Sequence, residues 1–225
     1  MARFDRLTVF RTIYEDGLLP LYYTSDPAAA LAVVKATYGG GCRAFEFVNR
    51  GDFAIEVFSQ LIKSAAVECP GLIIGVGSVE DAPTAALFIA HGANFVVGPS
   101  FDAETARICN RRKIGYVPGC GSVTEIALAE EHGAELIKIF PGNSVGGPGF
   151  IKAVLGPRSW SRLMPTGGVT SDEANLREWF GAGAAAVGMG SNLVTDATVK
   201  AGDFASITAL TSNAMETIRK VRNKS

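Results

Sequence analysis

Histidine is scarce: His91 and His132 are the only two in 225 residues. Each precedes a glycine at the predicted end of a helix, where capping or solvent is the better reading. No cluster of Asp, Glu or Cys accompanies them at ligand spacing, which argues against metal-dependent chemistry. Cysteine is sparse too. Cys42, Cys69, Cys109 and Cys120 are scattered without a CxxC pair, so reduced thiols are expected rather than a disulfide framework. Neither sign of charge dominates, with 21 Lys and Arg against 22 Asp and Glu. That balance removes the electrostatic reason to expect nucleic acid or an anionic membrane as partner. No run approaches the roughly 20 uncharged apolar residues of a membrane span. The opening MARFDRLTVFRTIYEDG is charged throughout and lacks the apolar core of a signal peptide. The expectation is a cytoplasmic globular protein that needs no metal or cofactor.

What the chain does have is alternation. Short apolar runs recur: LLPLYYT near 18, RAFEFV near 43, GLIIGV near 71, NFVVG near 94, KIGYVPG near 113, ELIKIF near 135, RLMPTGG near 162 and AAAVGMG near 184. Between them lie helical signatures. Asp26-Pro27 reads as an N-cap followed by a proline at the first helical position. SVEDAPTAALFIAHGA carries acids in its first turn and stops at Gly92. Ser122 and Glu125 have capping-box spacing. SDEANLREWFGAGA has a similar plan. Eight strands alternating with helices, evenly spaced and without a linker, predict one α/β domain over 1–225. The architecture expected is a (β/α)8 TIM barrel, with FDRLTVFRTIYEDG as an extra N-terminal helix.

Two residues break the apolar pattern. In a strand, alternate side chains share a face. Leu136, Lys138 and Phe140 therefore share one face of their strand, with Ile137 and Ile139 opposite. Ala44, Glu46 and Val48 share a face, with Phe45 and Phe47 opposite. The phenylalanines suit the layer against the helices, so Glu46 and Lys138 point into the barrel. A structural ion pair is the bland reading, although desolvation makes such pairs a poor source of stability. Two features favour chemistry. Pro165–Gly168 (PTGG) and Gly188–Ser191 (GMGS) follow the seventh and eighth strands, the usual phosphate position of such barrels. Arg50 lies at the mouth end of the Glu46 strand, where a guanidinium can grip a carboxylate. Taken singly, those glycines suit plain turns and Arg50 suits a solvated loop.

These stretches, in this order, resemble the 2-keto-3-deoxy-6-phosphogluconate (KDPG) / 4-hydroxy-2-oxoglutarate (KHG) aldolases, class I Schiff-base enzymes. The resemblance runs from about Pro20 to Val194, through FEFVNR, GVGSV, FVVGPSF, PGCGSVTE, IKIFPGNSVGGPGFIKAVLGP, MPTGGV and VGMGSNLV. It implies Lys138 as Schiff-base lysine and Glu46 as proton shuttle. Arg50 would hold the pyruvate carboxylate. Ser78 stands where relatives usually have threonine. Pro99, Phe140 and Thr166 would line the keto-acid pocket, and Gly167, Gly168, Gly190 and Ser191 would bind phosphate. It further implies a homotrimer acting on a phosphorylated keto acid. The products would be pyruvate and glyceraldehyde 3-phosphate, or glyoxylate from 4-hydroxy-2-oxoglutarate.

An amine attacks a carbonyl only when unprotonated, and an apolar strand disfavours the ammonium form. That is the expected reason for a lysine inside ELIKIF. The galactonate epimer is an alternative substrate, and a phosphosugar isomerase or epimerase with Glu46 as base is an alternative activity on the same barrel. A non-catalytic phosphosugar binder would not require a buried amine. VLGPRSW, Val154 to Trp160, is expected to be a loop packing on the barrel. Trp179 is expected to be core or a subunit contact, and METIRKVRNKS a helix with a solvated basic face.

Overall fold

Parallel strands are the frame of the molecule, a computed structural model that describes residues 2–222. They are β1 (Leu18–Tyr22), β2 (Ala44–Val48), β3 (Ile73–Gly77), β4 (Phe95–Val97), β5 (Gly115–Val117), β6 (Gly119–Cys120), β7 (Ile137–Ile139), β8 (Leu163–Pro165) and β9 (Val187–Met189). One set of neighbours runs β5-β4-β3-β2-β1-β9 and the other β6-β7-β8. The fifth predicted strand is thus split into β5 and β6 at Pro118, which has no N–H to give to a ladder. A single parallel bridge from Thr166 to Gly188 joins β8 to β9. Eight strand positions, one of them interrupted, make the (β/α)8 barrel.

The helices are α1 (Arg6–Asp16), α2 (Pro27–Gly39), α3 (Ala54–Glu68), α4 (Ala82–Ala90), α5 (Ala103–Arg112), α6 (Val123–Glu131), α7 (Gly147–Leu155), α8 (Glu173–Gly181), α9 (Asp196–Lys200) and α10 (Phe204–Arg222). Their ends follow the capping chemistry in the sequence, with two shifts. Asp26 accepts from the Ala28 amide, as expected. Asp81 caps α4 from outside by accepting from the Thr84 amide at 2.7 Å, so the acids precede the first turn instead of occupying it. Ser122 Oγ accepts from the Glu125 amide, but the Glu125 carboxylate turns back one residue further, to the Gly121 amide at 2.7 Å. His91 and His132 end their helices, each with Nδ1 within 2.9 Å of the carbonyl four residues back.

Two apolar layers follow from strand alternation. Outside, Phe45 and Phe47 meet the helices. The Phe47 and Phe58 rings lie 5.7 Å apart, and those of Phe58 and Phe88 5.1 Å. Inside, Leu19, Ala44, Ile73, Phe95, Leu136 and Met164 form a separate buried cluster with Val9 and Ile13 of α1. Most of these residues sit at the starts of their strands. The extra N-terminal helix therefore plugs the barrel floor. Asp16, at its end, accepts from the Arg43 backbone amide at 2.7 Å and from Arg43 Nε at 2.9 Å, tying the plug to the start of β2.

Trp179 is fully buried in the outer core. Trp160 corrects one expectation: it does not pack on the barrel. It is 64% exposed and stacks with Arg158, whose guanidinium also bonds Glu130. The basic C-terminal segment forms the end of α10, and its residues 223–225 lie outside the described residues. All four cysteines are buried and free. No helix among the described residues is long and apolar enough to cross a membrane.

Candidate active site

Above the apolar floor, two residues further along their strands, the barrel interior changes character. Ala44 of β2 is followed on the same face by Glu46, and Leu136 is followed by Lys138 of β7. The two side chains are 2% and 8% exposed, and Lys138 Nζ lies 3.9 Å from Glu46 Oε1. That distance is the outer limit of an ion pair. Glu46 Oε2 has no hydrogen-bond partner among the described residues. Burial pushes the Glu46 carboxyl above its ordinary value, and the nearby Lys138 opposes that shift less strongly. The pair is therefore a carboxyl whose charged form burial disfavours, set at the outer limit of ion-pair distance from a lysine nitrogen.

Small residues make the room. A Cβ at Gly77 would fall 1.8 Å from Glu46 Oε1, and one at Gly188 would fall 2.2 Å from Thr166 Oγ1. Gly77 did not stand out as a site residue, because a glycine opposite a buried carboxylate is visible only once the register is known. Gly75, paired with Glu46, likewise yields its space to the Phe95 ring.

The other predicted residues distribute around this dyad. Phe140 follows β7, and its ring centroid lies 5.0 Å from Lys138 Nζ. It is 37% exposed, so it forms the outer wall of the amine's surroundings. Thr166 follows β8, is buried, and its Oγ1 lacks a partner among the described residues. Its amide donates to Ile139, which fixes it beside the lysine strand. Gly167 and Gly168, with φ of +94° and +81°, make the turn that glycine alone adopts without strain. Gly142 and Asn143 amides donate to the Thr166 and Gly167 carbonyls, and the Asn143 side chain fills the space beside Gly168. Arg50, Gly190 and Ser191 line one cavity of about 470 Å³ at the strand C-terminal ends, with Tyr22, Tyr23 and Asp196. Ser78 follows Gly77 in a left-handed conformation, φ +55°. Pro99 is half-buried, with its carbonyl against Gly119.

Tyr22 and Asp196 were not anticipated. The Tyr22 hydroxyl donates to Asp196 Oδ1 at 2.9 Å, and burial with that neighbouring carboxylate pushes the phenol up to about 12. Their juxtaposition joins β1 to the segment after β9, far apart in sequence.

This geometry has counterparts. A family model described as KDPG and KHG aldolase matches residues 10–210. The chain is 33% identical over 202 residues to the 2-dehydro-3-deoxy-phosphogluconate aldolase of Pseudomonas aeruginosa, covering 90% of this chain and 89% of that one. It is 32% identical to the like-named enzyme of Pseudoalteromonas atlantica, covering 90% and 92% respectively. Among solved structures, the KDPG aldolase of Legionella pneumophila, with pyruvate captured at low pH as a covalent carbinolamine, superposes with a TM-score of 0.82. It is 26% identical, over 90% of this chain and 96% of that one. A barrel holding an amine and a buried acid above an apolar floor is thus set within carbon–carbon lyases, and the chain belongs to the KDPG and KHG aldolase family.

Proposed function

We propose that this aldolase cleaves 2-keto-3-deoxy-6-phosphogluconate, or a close relative, through a Schiff base on Lys138. The observation that carries the reading is the amine of Lys138 held 3.9 Å from a carboxyl that burial keeps protonated above its ordinary range. Neutral Lys138 attacks the C2 ketone of the substrate. Glu46 gives a proton to the carbinolamine oxygen, which leaves as water and yields the iminium. The C4 hydroxyl then returns a proton to Glu46 while the C3–C4 electron pair flows into the iminium. That step releases glyceraldehyde 3-phosphate and leaves an enamine. Protonation at C3 and hydrolysis release pyruvate and restore the amine.

The remaining predicted residues have roles in binding. Arg50 receives the carboxylate, Phe140 and Thr166 bound the ketone end, and Pro99 and Ser78 close the far wall. Gly167, Gly168, Gly190 and Ser191 offer amides to the phosphate. Remote binding of this kind positions the reacting bond and lowers its barrier. The same dyad would act on 4-hydroxy-2-oxoglutarate, giving pyruvate and glyoxylate. The active form is a homotrimer, and the reduced, buried thiols suit the cytoplasm.

The test is reductive trapping. Borohydride added with pyruvate should give an intact-mass adduct in the wild-type protein and none in Lys138→Ala. A wild-type protein that forms no adduct would refute the Schiff base. A cleavage panel over the gluconate, galactonate and hydroxy-oxoglutarate substrates, with pyruvate release coupled to a dehydrogenase, then ranks the substrates.

A further inference from the structure

Two segments that read from sequence as ordinary surface meet at the end of the barrel opposite the dyad. The loop between α7 and β8 contributes Ser159, Ser161 and Arg162, and the last turns of α10 contribute Arg219 and Arg222. With Tyr14, Phe180 and the Gly183–Ala185 turn they line a cavity of about 620 Å³. Arg162 immediately precedes β8, Ala185 precedes β9, and Tyr14 lies near the end of α1. The cavity therefore opens on the strand N-terminal ends, away from Lys138 and Glu46.

The three guanidinium groups are not equivalent. Arg222 is structural: it donates to the carbonyls of Tyr14 at 2.6 Å, Glu15 at 3.2 Å and Ala185 at 2.8 Å. Its charge lies 4.9 Å from the Tyr14 ring centroid and 5.5 Å from that of Phe180. Arg219 commits only Nε, to the Met215 carbonyl. Arg162 stacks at 5.4 Å from the Tyr14 centroid. Neither Arg162 nor Arg219 forms an ion pair among the described residues. The one carboxylate lining the cavity, Glu15, is already engaged by Arg43 at 3.0 Å and Arg11 at 3.7 Å. Ser161 adds a second kind of signal. The residue is 7% exposed, and its Oγ is buried without a hydrogen-bond partner among the described residues. A buried hydroxyl without a partner is costly unless something completes it.

We infer that this cavity is a second anion site, taking a phosphate or phosphomonoester between Arg162 and Arg219 with the loop serines as further donors. Guanidinium groups suit phosphate because each can present two parallel N–H donors. Arg162 and Arg219 are both exposed, so they are free to turn toward an anion, and salt screens their attraction for it. The site is independent of the Schiff-base chemistry.

Calorimetric titration of inorganic pyrophosphate into the full chain at low ionic strength tests this. The wild-type protein should show a binding event that weakens at least tenfold in Arg162→Ala/Arg219→Ala and in Arg219→Glu. It should also weaken as salt is raised. The pyruvate adduct trapped by borohydride should form in the same yield in these variants, which shows that they are folded and that the active site is untouched. If the double variant fails to fold, Arg162→Gln and Arg219→Gln are tested singly against the same criterion. Identical titrations for wild type and folded variants would overturn the site, as would no event in the wild type or binding only at the active-site glycines. Loss of the adduct in the wild type would count against the Schiff base without touching this site.

Discussion

At the scale of single residues, the proposed chemistry rests on Glu46 and Lys138 in an apolar tube. Glu46→Gln keeps shape and hydrogen-bonding capacity but cannot carry a proton. It should lower kcat by about 10²- to 10⁴-fold, the usual contribution of a positioned acid–base group. Steady-state kinetics with circular dichroism as a folding control would check this, and an unchanged kcat would remove Glu46 from the mechanism. The same residue makes a stability prediction. Burial raises the Glu46 pKa in the folded state, so between the unfolded and folded values the native protein holds the proton more tightly. Native stability should therefore fall as pH rises through that window. Glu46→Gln should lack this loss, so the difference in Tm between variant and wild type should grow in the variant's favour from mildly acidic to neutral pH. A constant difference across the series would mean that the carboxyl is not strained by burial.

At the scale of elements, β2, β3 and β8 with its following residue each supply an apolar residue to the floor (Ala44, Ile73, Met164) and a polar or small one to the layer above (Glu46, Gly75, Thr166). Gly77 of β3 shows how narrow the upper layer is. An Ala Cβ would sit 1.8 Å from Glu46 Oε1, so the carboxylate must move. Gly77→Ala should cost about 10²-fold in kcat, the scale of an ångström misplacement of a reacting group. Its adduct with pyruvate should still form, because Lys138 lies on another strand. The floor responds differently. Ile13 of α1 is fully buried against the barrel interior, and Ile13→Ala should destabilise the fold by about 2 to 5 kcal/mol. Urea denaturation would measure that loss, with kcat per folded molecule little changed.

Elements also show what could be read without coordinates. Lys138 and Glu46 were legible because a period of two puts every second residue on one face, and a charge inside an apolar run is conspicuous. The caps at Asp26 and Ser122 were legible because they act over two or three residues. The break at Pro118 was not anticipated, although a proline inside a strand run has no N–H to give to a ladder. The helix α1 was visible from its own periodicity, yet its place as a plug depends on contacts with strands as distant as β1, β2 and β5. Glycines 77 and 188, the Tyr22–Asp196 bond and the Arg162–Arg219 cavity join segments distant in sequence, and no local pattern encodes such meetings.

At the scale of the whole molecule, the proposed homotrimer makes a direct prediction. Light scattering after gel filtration should give three times the 23.6 kDa of one chain, and a monomer at working concentration would refute it. Within each chain the ring is not uniformly sewn. The strands β2 and β3 pair at five positions, whereas among the described residues β8 meets the β9 segment only through the Thr166–Gly188 bridge and the Ala185 amide on the Leu163 carbonyl at 2.8 Å. A hoop gives way first where its stitches are few. Gly167 and Gly168 lie on one side of that seam and Gly190 and Ser191 on the other, so with the phosphate held there as proposed, transient parting would loosen the hold on a departing product while Lys138 and Glu46 stay in place. Deuterium uptake should be faster across β8–β9 than across β2–β3, and a bound phosphorylated ligand should slow it.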